Sequence, residues 1–417
     1  MTATPVRPWL IFFSSASLFV LSQFYRAAVA VITPQLIADV GLDAKGLSLL
    51  SAAFFYGFAF TQIPLVIYLD RIGSRKFMPV LNLVAVAGAA LFAAAGSLEA
   101  LAVARLLIGI GMAGNLMGTF KLISLWFEPL RFATLSALVF SMGTVGNIFA
   151  TSPLVLLAET VGWRQAFLVV GALNLLLTAG IFLIISDAPG STSSKGDSHS
   201  GSISMGETLS GVRRLFKTKD YWIISLGRFC YYGVYAAIQT LYAGPYLMKA
   251  HSLSPVSAGN IILLMNIGFV FGGPLFGWVS DRLSGTRKWL VMPGLTLMAL
   301  IVAVLASLPT DAATFWLAIL FFSLGMDGST GGIMYAHIKE RMPAEYAGTA
   351  MTGINFFTMI GPAVFLQGLG SLMQAVYPSA ALGAPAFRSA FFLCSGCLLT
   401  VACLYLVTDD TRRLRRA

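Results

Sequence analysis

The chain has 417 residues, of which 57% are apolar and only 11% charged, with a mean hydropathy of +0.82 and a net charge of +10. A soluble domain carries about 25% charged residues, so this composition excludes a soluble protein and predicts a helical integral membrane protein. We expect it to have no catalytic residues, no cofactor and no metal. The basic residues stand in short loops and tails and form no patch, which argues against nucleic-acid binding.

The chain contains twelve apolar stretches that are each long enough to cross a bilayer, which takes about 20 helical residues. With the N-terminus inside, the inner segments hold 19 lysines and arginines and the outer loops hold four. Because basic residues favour the cytoplasmic side, we predict a multi-pass plasma-membrane protein, in the inner membrane of a bacterium, with both termini cytoplasmic. The predicted spans are 9–36, 46–69, 77–97, 100–127, 132–158, 164–186, 220–248, 254–280, 288–308, 312–338, 347–374 and 385–408.

A segment rich in glycine and serine, residues 187–205, separates the first six spans from the last six. It predicts a flexible linker, and residues 207–217 predict a short amphipathic helix on the inner membrane surface. We therefore divide the chain into an N-terminal six-helix bundle, a cytoplasmic linker with that helix, and a C-terminal six-helix bundle with a basic tail, at residues 1–186, 187–219 and 220–417.

The two halves resemble each other in sequence. Residues 34–71 align with residues 245–282 without a gap, and both stretches share a Pro-x-Leu start, a Gly-Phe pair and an Asp-Arg end. This predicts a duplication into parallel six-helix repeats, which is one known plan of membrane transporters.

The loop between predicted helices 2 and 3 resembles the major facilitator superfamily signature G-x-x-x-D-R-x-G-x-R-R/K, although Val66 replaces its first glycine. A partial second copy lies between helices 8 and 9. The resemblance implies an all-α fold of twelve transmembrane helices in two pseudo-symmetric six-helix bundles. It also implies that these loops form a latch for the outward-facing state, the alternative being basic inner loops required by topology alone. The latch residues would be Asp70, Arg71, Gly73, Arg75, Asp281 and Arg282.

Predicted helix 1 carries a charge, Arg26, with Ser22 on the same face and Tyr25 beside it. A charge at the centre of a spanning helix costs about 2.5–3.5 kcal/mol on insertion scales, so this helix predicts a polar cavity. An arginine in helix 1 before Pro34 resembles the organophosphate and organic-anion branch of the superfamily, in which it holds the substrate anion. The alternative is an internal salt bridge or a bond to a helix carbonyl. In the alignment of the halves Arg26 meets Ala237, so it has no counterpart.

The resemblance implies that helices 1, 4, 7 and 10 line the cavity. Helix 7 carries four polar residues on one face, and helix 8 adds an amide, which together suit a small polar solute; the alternative is that the tyrosines form a belt at the membrane surface. These candidates are Arg228, Tyr232, Tyr235, Gln239 and Asn266.

Helix 4 adds two further basic residues. Lys121 is either a second anion contact or a side chain that extends to the inner membrane surface, and the same ambiguity applies to Arg228. Arg105 matches a position that the family uses for helix packing or proton transfer, and we leave it out of the substrate site.

Asp327 is the acidic residue inside predicted helix 10. A lone carboxylate in a low-dielectric interior can take up and release a proton, so Asp327 is our candidate for proton coupling. The alternatives are a fixed ion pair with an interior base and a polar contact that holds a glycine-rich helix crossing together.

Four interior bases against one interior acid favour an anionic solute. We predict a secondary transporter that moves a small organic anion, either a carboxylate or a phosphate ester, or an amino acid, by alternating access and proton symport. Its expected partners are the solute, a proton and the lipid bilayer, and we expect a monomer. The alternatives are a proton-coupled exporter of apolar compounds and a membrane sensor with a transporter-like fold.

Overall fold

The computed structural model describes residues 6–128, 131–184, 216–279, 286–342 and 347–410, and in these ranges the chain is helical and contains no strand. The chain forms two compact units. Unit 1 comprises Met1–Gly196 and Pro255–Gly259, and unit 2 comprises Asp197–Ser254 and Asn260–Ala417. The predicted linker 187–205 lies outside the described residues, as does nearly all of the predicted helix 207–217, so the domain boundaries stay predictions.

The N-terminal part of the chain is built from nine described helices, and several predicted spans are made of two consecutive helices. They are α1 (Val6–Ala27), α2 (Val29–Val40), α3 (Ala44–Ile72), α4 (Ser74–Ala94), α5 (Leu98–Met112), α6 (Asn115–Trp126), α7 (Phe132–Phe149), α8 (Ser152–Val161) and α9 (Trp163–Ile184).

The C-terminal part continues with α10 (Lys219–Ala237), which runs on through two π-helical segments, Ile238–Tyr242 and Tyr246–Ala250, with a single α turn between them. A 3₁₀ segment, Ser329–Gly332, separates the helix Thr314–Gly328 from the helix Ile333–Arg341. The remaining helices are α11 (Pro255–Trp278), α12 (Lys288–Ser307), α13 (Thr314–Gly328), α14 (Ile333–Arg341), α15 (Ala347–Val376) and α16 (Ala384–Tyr405).

By length and hydropathy, nine helices or helix pairs among the described residues could cross a membrane, and ten could if the bent pair α7–α8 is one span. That pair bends by 40°. The all-α architecture predicted from the sequence is confirmed, while the number of twelve crossings stays a prediction.

Two glycines let helices approach each other closely in unit 1. A Cβ added at Gly57 of α3 would overlap the main-chain oxygen of Leu106, and one at Gly109 of α5 would overlap the main-chain oxygen of Phe54. The two glycines thus face each other's backbone, which is how small residues bring helices together in lipid.

The same crossing recurs in the second half. A Cβ at Gly268 of α11 would overlap the oxygen of Phe322, and one at Gly325 of α13 would overlap the oxygen of Met265. The α3 and α11 glycines of the two crossings differ by 211 positions, and the α5 and α13 glycines by 216. The offset of 211 is the one that aligns residues 34–71 with 245–282, so the crossing geometry supports the predicted duplication.

Polar contacts around Asp39 join helix ends in unit 1. The carboxylate of Asp39 accepts hydrogen bonds from the indole nitrogen of Trp163 at 2.8 Å and from Arg164 at 2.6 Å, and Arg164 also donates to the main-chain oxygen of Ala95 at 3.2 Å. The bond from Trp163, together with the bond and charge of Arg164, holds the pKa of Asp39 below its usual range. These contacts tie the end of α2 to the start of α9.

A charge network joins helix ends in unit 2 around Arg341. Arg341 of α14 donates to Asp220 at 2.8 Å and to Asp409 at 2.9 Å. The buried His337 contacts the Tyr405 hydroxyl at 2.7 Å and the main-chain oxygen of Asp409 at 3.1 Å. The residues that follow α16 are thereby fixed to α10 and α14.

The close helix crossings predict a clear difference between two glycines of α11. Gly268→Ala should lower the free energy of unfolding by about 1–3 kcal/mol, the usual cost of overpacking. Gly277 of the same helix has no atom near an added Cβ, so Gly277→Ala should be neutral or stabilising through its better helix propensity. Thermal denaturation of the detergent-purified protein measures both, and equal melting temperatures for the two variants would contradict the crossing.

Candidate functional site

A buried arginine lies between two tyrosine rings in unit 2. Arg228 of α10 is 8% exposed, and its guanidinium carbon lies 4.9 Å from the ring centre of Tyr232 and 5.1 Å from that of Tyr335. Its Nε donates to the Thr358 hydroxyl at 3.2 Å. Its NH1 group has no hydrogen-bond partner among the described residues. A buried cation with an unused donor is the arrangement that an anionic ligand would satisfy.

Two residues of α15 fix the surroundings of Arg228. Thr358 donates to the main-chain oxygen of Ile354 at 2.8 Å, so its oxygen is free to accept from Arg228. The Tyr335 hydroxyl donates to Asn355 Oδ1 at 2.9 Å and lies 2.8 Å from the Thr358 hydroxyl. The ring of Tyr335 is therefore held in place against the guanidinium.

Sequence reasoning missed Tyr335, Asn355 and Thr358. Asn355 and Thr358 are three residues apart and so share a face of their helix, and Tyr335 lies eight residues after Asp327 on predicted helix 10. Polar residues at helical spacing on predicted helices 10 and 11 were the signal that could have found them. We call Arg228, Tyr232, Tyr335, Asn355 and Thr358 the Arg228 cluster.

A glycine makes room for the guanidinium. Gly331 lies in the 3₁₀ segment, and a Cβ added there would overlap Arg228 NH1 and press against the ring of Tyr231. A Cβ at the next residue, Gly332, would meet no atom. The position of Arg228 thus depends on the absence of a side chain at residue 331.

The predicted polar face of helix 7 forms a continuous row in the structure. The rings of Tyr232 and Tyr235 are 6.4 Å apart and nearly parallel. Gln239 donates to Asn266 Oδ1 at 2.8 Å and lies 3.5 Å from the Tyr235 hydroxyl. The structure therefore brings together all five unit 2 residues that the sequence proposed, from Arg228 to Asn266.

Asp327 is 1% exposed and bonded to a tyrosine that the sequence analysis did not name. The Tyr231 hydroxyl donates to Asp327, contacting both its main-chain oxygen and, at 3.0 Å, its Oδ2, and lies 2.6 Å from the Thr330 hydroxyl. Asp327 forms no ion pair, and its Oδ1 no hydrogen bond, with the described residues. The contact with Tyr231 joins α10 to α13.

Arg26 lies at the end of α1 and is 5% exposed. Its guanidinium carbon is 5.7 Å from the ring centre of Phe55 and 5.4 Å from that of Phe58, both on α3. Ser22, one turn earlier, is buried, and its hydroxyl bonds to no other described group. The ring of Tyr25 instead contacts Phe167 of α9, 6.2 Å away. The structure therefore directs Tyr25 and Arg26 toward different helices.

Arg105 is fully buried and bonds to main-chain oxygens. Its Nε donates to the oxygen of Leu50 at 3.4 Å, and its NH1 donates to the oxygen of Tyr25. Its guanidinium carbon lies 4.9 Å from the ring centre of Phe54. Arg105 thus connects α5 to α1 and α3, which fits the helix-packing interpretation of this position.

The other predicted residues lie on α6, at the start of α4 or outside the described residues. Lys121 is half-buried on α6, Gly73 has a positive φ of 82° between α3 and α4, and Arg75 is exposed. The side chains of Asp70 and Arg71 and the residues Asp281 and Arg282 lie outside the described part of the chain, so the latch stays a prediction.

The sequence profile of the Major Facilitator Superfamily matches residues 15–366, and the chain belongs to this superfamily. The probable sulfoacetate transporter SauU of Cupriavidus necator is 25% identical over 90% of this chain and 91% of its own. The probable galactarate/D-glucarate transporter GudP of Escherichia coli is 21% identical, with coverages of 89% and 88%. The gallate transporter of Pseudomonas putida is 23% identical, with coverages of 92% and 90%.

Solved structures agree with this fold. A bacterial homologue of the human lysosomal transporter Spinster, inward-facing and unoccupied, aligns with a TM-score of 0.78 over 99% of this chain and 98% of its own, at 16% identity. A point mutant of the nucleoside transporter NupG aligns with a TM-score of 0.77 over 95% of this chain and 98% of its own, at 13% identity. Membership of the superfamily makes the protein a multi-pass membrane transporter of a small molecule and not an enzyme.

The two buried arginines of unit 1 should differ in their effect on stability. Arg105→Gln cannot reach both carbonyl oxygens, and each buried polar group left without a partner costs about 1–3 kcal/mol. We expect a clear loss of thermal stability for Arg105→Gln and a smaller one for Arg26→Gln, because Arg26 packs against aromatic rings that an uncharged side chain can also contact. Melting curves in detergent decide this, and equal losses would contradict the packing role of Arg105.

Proposed function

We propose that the chain transports a small organic anion, a carboxylate or a phosphate ester, or an amino acid through its carboxylate, by alternating access. The observation that carries the proposal is the unused NH1 donor of Arg228 between two tyrosine rings. The names of relatives are consistent with this class, since sulfoacetate, galactarate, glucarate and gallate are all small organic acids.

The Arg228 cluster has the chemistry that anion binding requires. A guanidinium forms two parallel hydrogen bonds to a carboxylate or phosphate. Thr358 occupies the Nε of Arg228, while NH1 keeps hydrogen-bonding capacity that no described residue uses. The flanking rings of Tyr232 and Tyr335 exclude water, and this strengthens the attraction between opposite charges.

The row from Tyr235 to Asn266 supplies a second set of polar contacts in unit 2. Tyr235, Gln239 and Asn266 offer phenol and amide groups that are already oriented by their mutual hydrogen bonds. Such groups suit the hydroxyls of a sugar acid or the second polar end of a short diacid. We propose that they select among anions that the Arg228 cluster holds.

Arg26 is the second proposed anion contact, and in unit 1 it is accompanied by the buried hydroxyl of Ser22. Its guanidinium packs against Phe55 and Phe58, so the cation is kept in an apolar environment in which an anion would be held strongly. Lys121 and Tyr25 remain weaker candidates.

Proton symport is the proposed coupling, with Asp327 as the coupling residue. Its Oδ2 is bonded to Tyr231, and Gly331 packs against both Tyr231 and Arg228, so the acid and the anion-binding arginine share neighbours.

We further propose a monomer in the inner membrane of a bacterium, with both termini cytoplasmic.

The Arg228 cluster predicts different outcomes for two neighbouring glycines. Gly331→Ala should displace the guanidinium and lower uptake about tenfold or more, the effect of losing one charge-assisted hydrogen bond, whereas Gly332→Ala should transport like wild type. Proteoliposome uptake of sulfoacetate, glucarate, gallate and glucuronate measures this. Arg228→Lys keeps the positive charge but loses the guanidinium geometry that forms two parallel hydrogen bonds, and it should also lose uptake.

Each alternative function has a distinct signature in the same assay. If the protein exports apolar compounds, the wild type should show no detectable anion uptake. Efflux of apolar compounds by Arg26→Ala and Arg228→Lys should then equal that of wild type. A sensor would bind an anion but move little of it. Uptake by Arg228→Lys and Gly331→Ala equal to that of wild type would overturn the proposed site.

Asp327→Asn should abolish the stimulation of uptake by an inward pH gradient while leaving exchange of internal for external solute intact. The amide keeps a hydrogen bond with Tyr231 but cannot take up a proton. Uptake and exchange in proteoliposomes, with and without the gradient, separate the two steps. An unchanged response of Asp327→Asn to the gradient would remove the coupling role, and Tyr231→Phe serves as the control for loss of the hydrogen bond alone.

A further inference from the structure

A groove of about 470 Å³ lies on the surface of unit 1 between α4 and α9. Its walls include Val80 and Leu83 of α4 and Leu175 and Phe182 of α9. These side chains are half or more than half exposed for the most part, with Val80 at 62%. In a membrane protein such a surface faces lipid.

Small residues create the groove. On α9, Thr178, Ala179 and Gly180 follow one another, and a Cβ added at Gly180 would meet no atom. On α4 the compact ring of Pro79 lines the opposite wall. Larger side chains flank these small residues, so a channel stays open over the small residues.

The lining of the groove is apolar throughout, and two cationic residues, Lys76 and Arg75, stand at one end of it. Lys76, in the first turn of α4, lines it, and the Arg75 guanidinium lies 6.0 Å from the ring centre of Phe182. This contact puts Phe182 at the cationic end. The seven helical steps from Lys76 to Leu83 span about 10 Å of helix, so the groove runs from the cationic end into purely apolar surface.

We propose that this groove binds one anionic phospholipid, with an acyl chain along the small residues and the phosphate on Lys76. The order of polarity along the groove is that of a lipid, and the positive charge of Lys76 matches an anionic headgroup. Lys76 forms no ion pair with a described residue. Basic pockets on the cytoplasmic side of helix bundles bind such headgroups, and the predicted orientation puts Lys76 on that side.

The occupant is a lipid and not a soluble anion, because a small anion would leave the groove's apolar walls uncovered. An uncharged lipid could cover the walls but would leave the ammonium group of Lys76 without a counter-charge. The occupant therefore needs both an apolar chain and a negative charge, and a separate variant tests each of these two properties.

The test is native mass spectrometry of the whole protein, incubated in detergent with phosphatidylglycerol or with phosphatidylcholine of the same acyl chains. Lys76→Gln should weaken retention of phosphatidylglycerol about fivefold, the effect of one basic contact to an anionic lipid. Ala179→Phe should fill the groove and lower retention without changing the charge. Lys339→Gln removes an equally exposed lysine from α14 and should bind like wild type.

Three outcomes would overturn the proposal. They are equal retention of both lipids by wild type, unchanged phosphatidylglycerol retention in Lys76→Gln, and unchanged retention in Ala179→Phe. Melting curves check that each variant is folded. Ala179→Leu tests the filling of the groove with a side chain smaller than that of phenylalanine. Because Lys76 and Ala179 lie outside the Arg228 cluster, the result is independent of the proposed transport function.

Discussion

A bilayer offers no water to a polar group, so each buried donor, acceptor or charge must find its partner inside the protein. This constraint accounts for many of the polar side chains that the helices bury. Pro34 cannot donate to the main-chain oxygen of Ala30, and the Thr33 hydroxyl, which donates to the oxygen of Val29 at 2.9 Å, also lies 3.3 Å from that of Ala30. Gln62 donates to the oxygen of Ala113 at 3.1 Å, beside the break between α5 and α6. Such side chains stabilise irregular backbone at membrane depth.

The same constraint makes the buried groups that lack a partner candidates for binding a ligand or a proton. Ser22, Arg228 and Asp327 each keep an atom that bonds to nothing in the described part of the chain. Leaving such an atom unbonded costs free energy, and a ligand or a proton that satisfies it recovers that cost. Arg105 also keeps one nitrogen without a partner among the described residues, its NH2, but its other two nitrogens bond to main-chain oxygens and the residue connects three helices.

The duplication separates shared packing from unshared chemistry. The glycine crossings recur in both units because helices must approach closely in either half. The charged residues do not recur, since Arg26 corresponds to Ala237. Asp327 corresponds at the offset of 216 to Gly111, which packs closely against Ala85 of α4. Arg105, which corresponds at the same offset to Phe321, also lacks a charged counterpart and serves helix packing, so each unpaired charge is assigned a role from its own contacts.

The sequence by itself determined the class of the protein, because apolar length and basic loops follow directly from the bilayer. It also determined the duplication and the polar face from Arg228 to Asn266, since helical periodicity alone puts those residues on one side. Tertiary structure alone decided which residues of other helices meet that face. Tyr335, Asn355 and Thr358 join Arg228 only because α14 and α15 pack against α10, and Tyr25 turns to α9 although it adjoins Arg26. Such contacts depend on which helices are neighbours and how they are rotated, and one helix's periodicity carries no information about either.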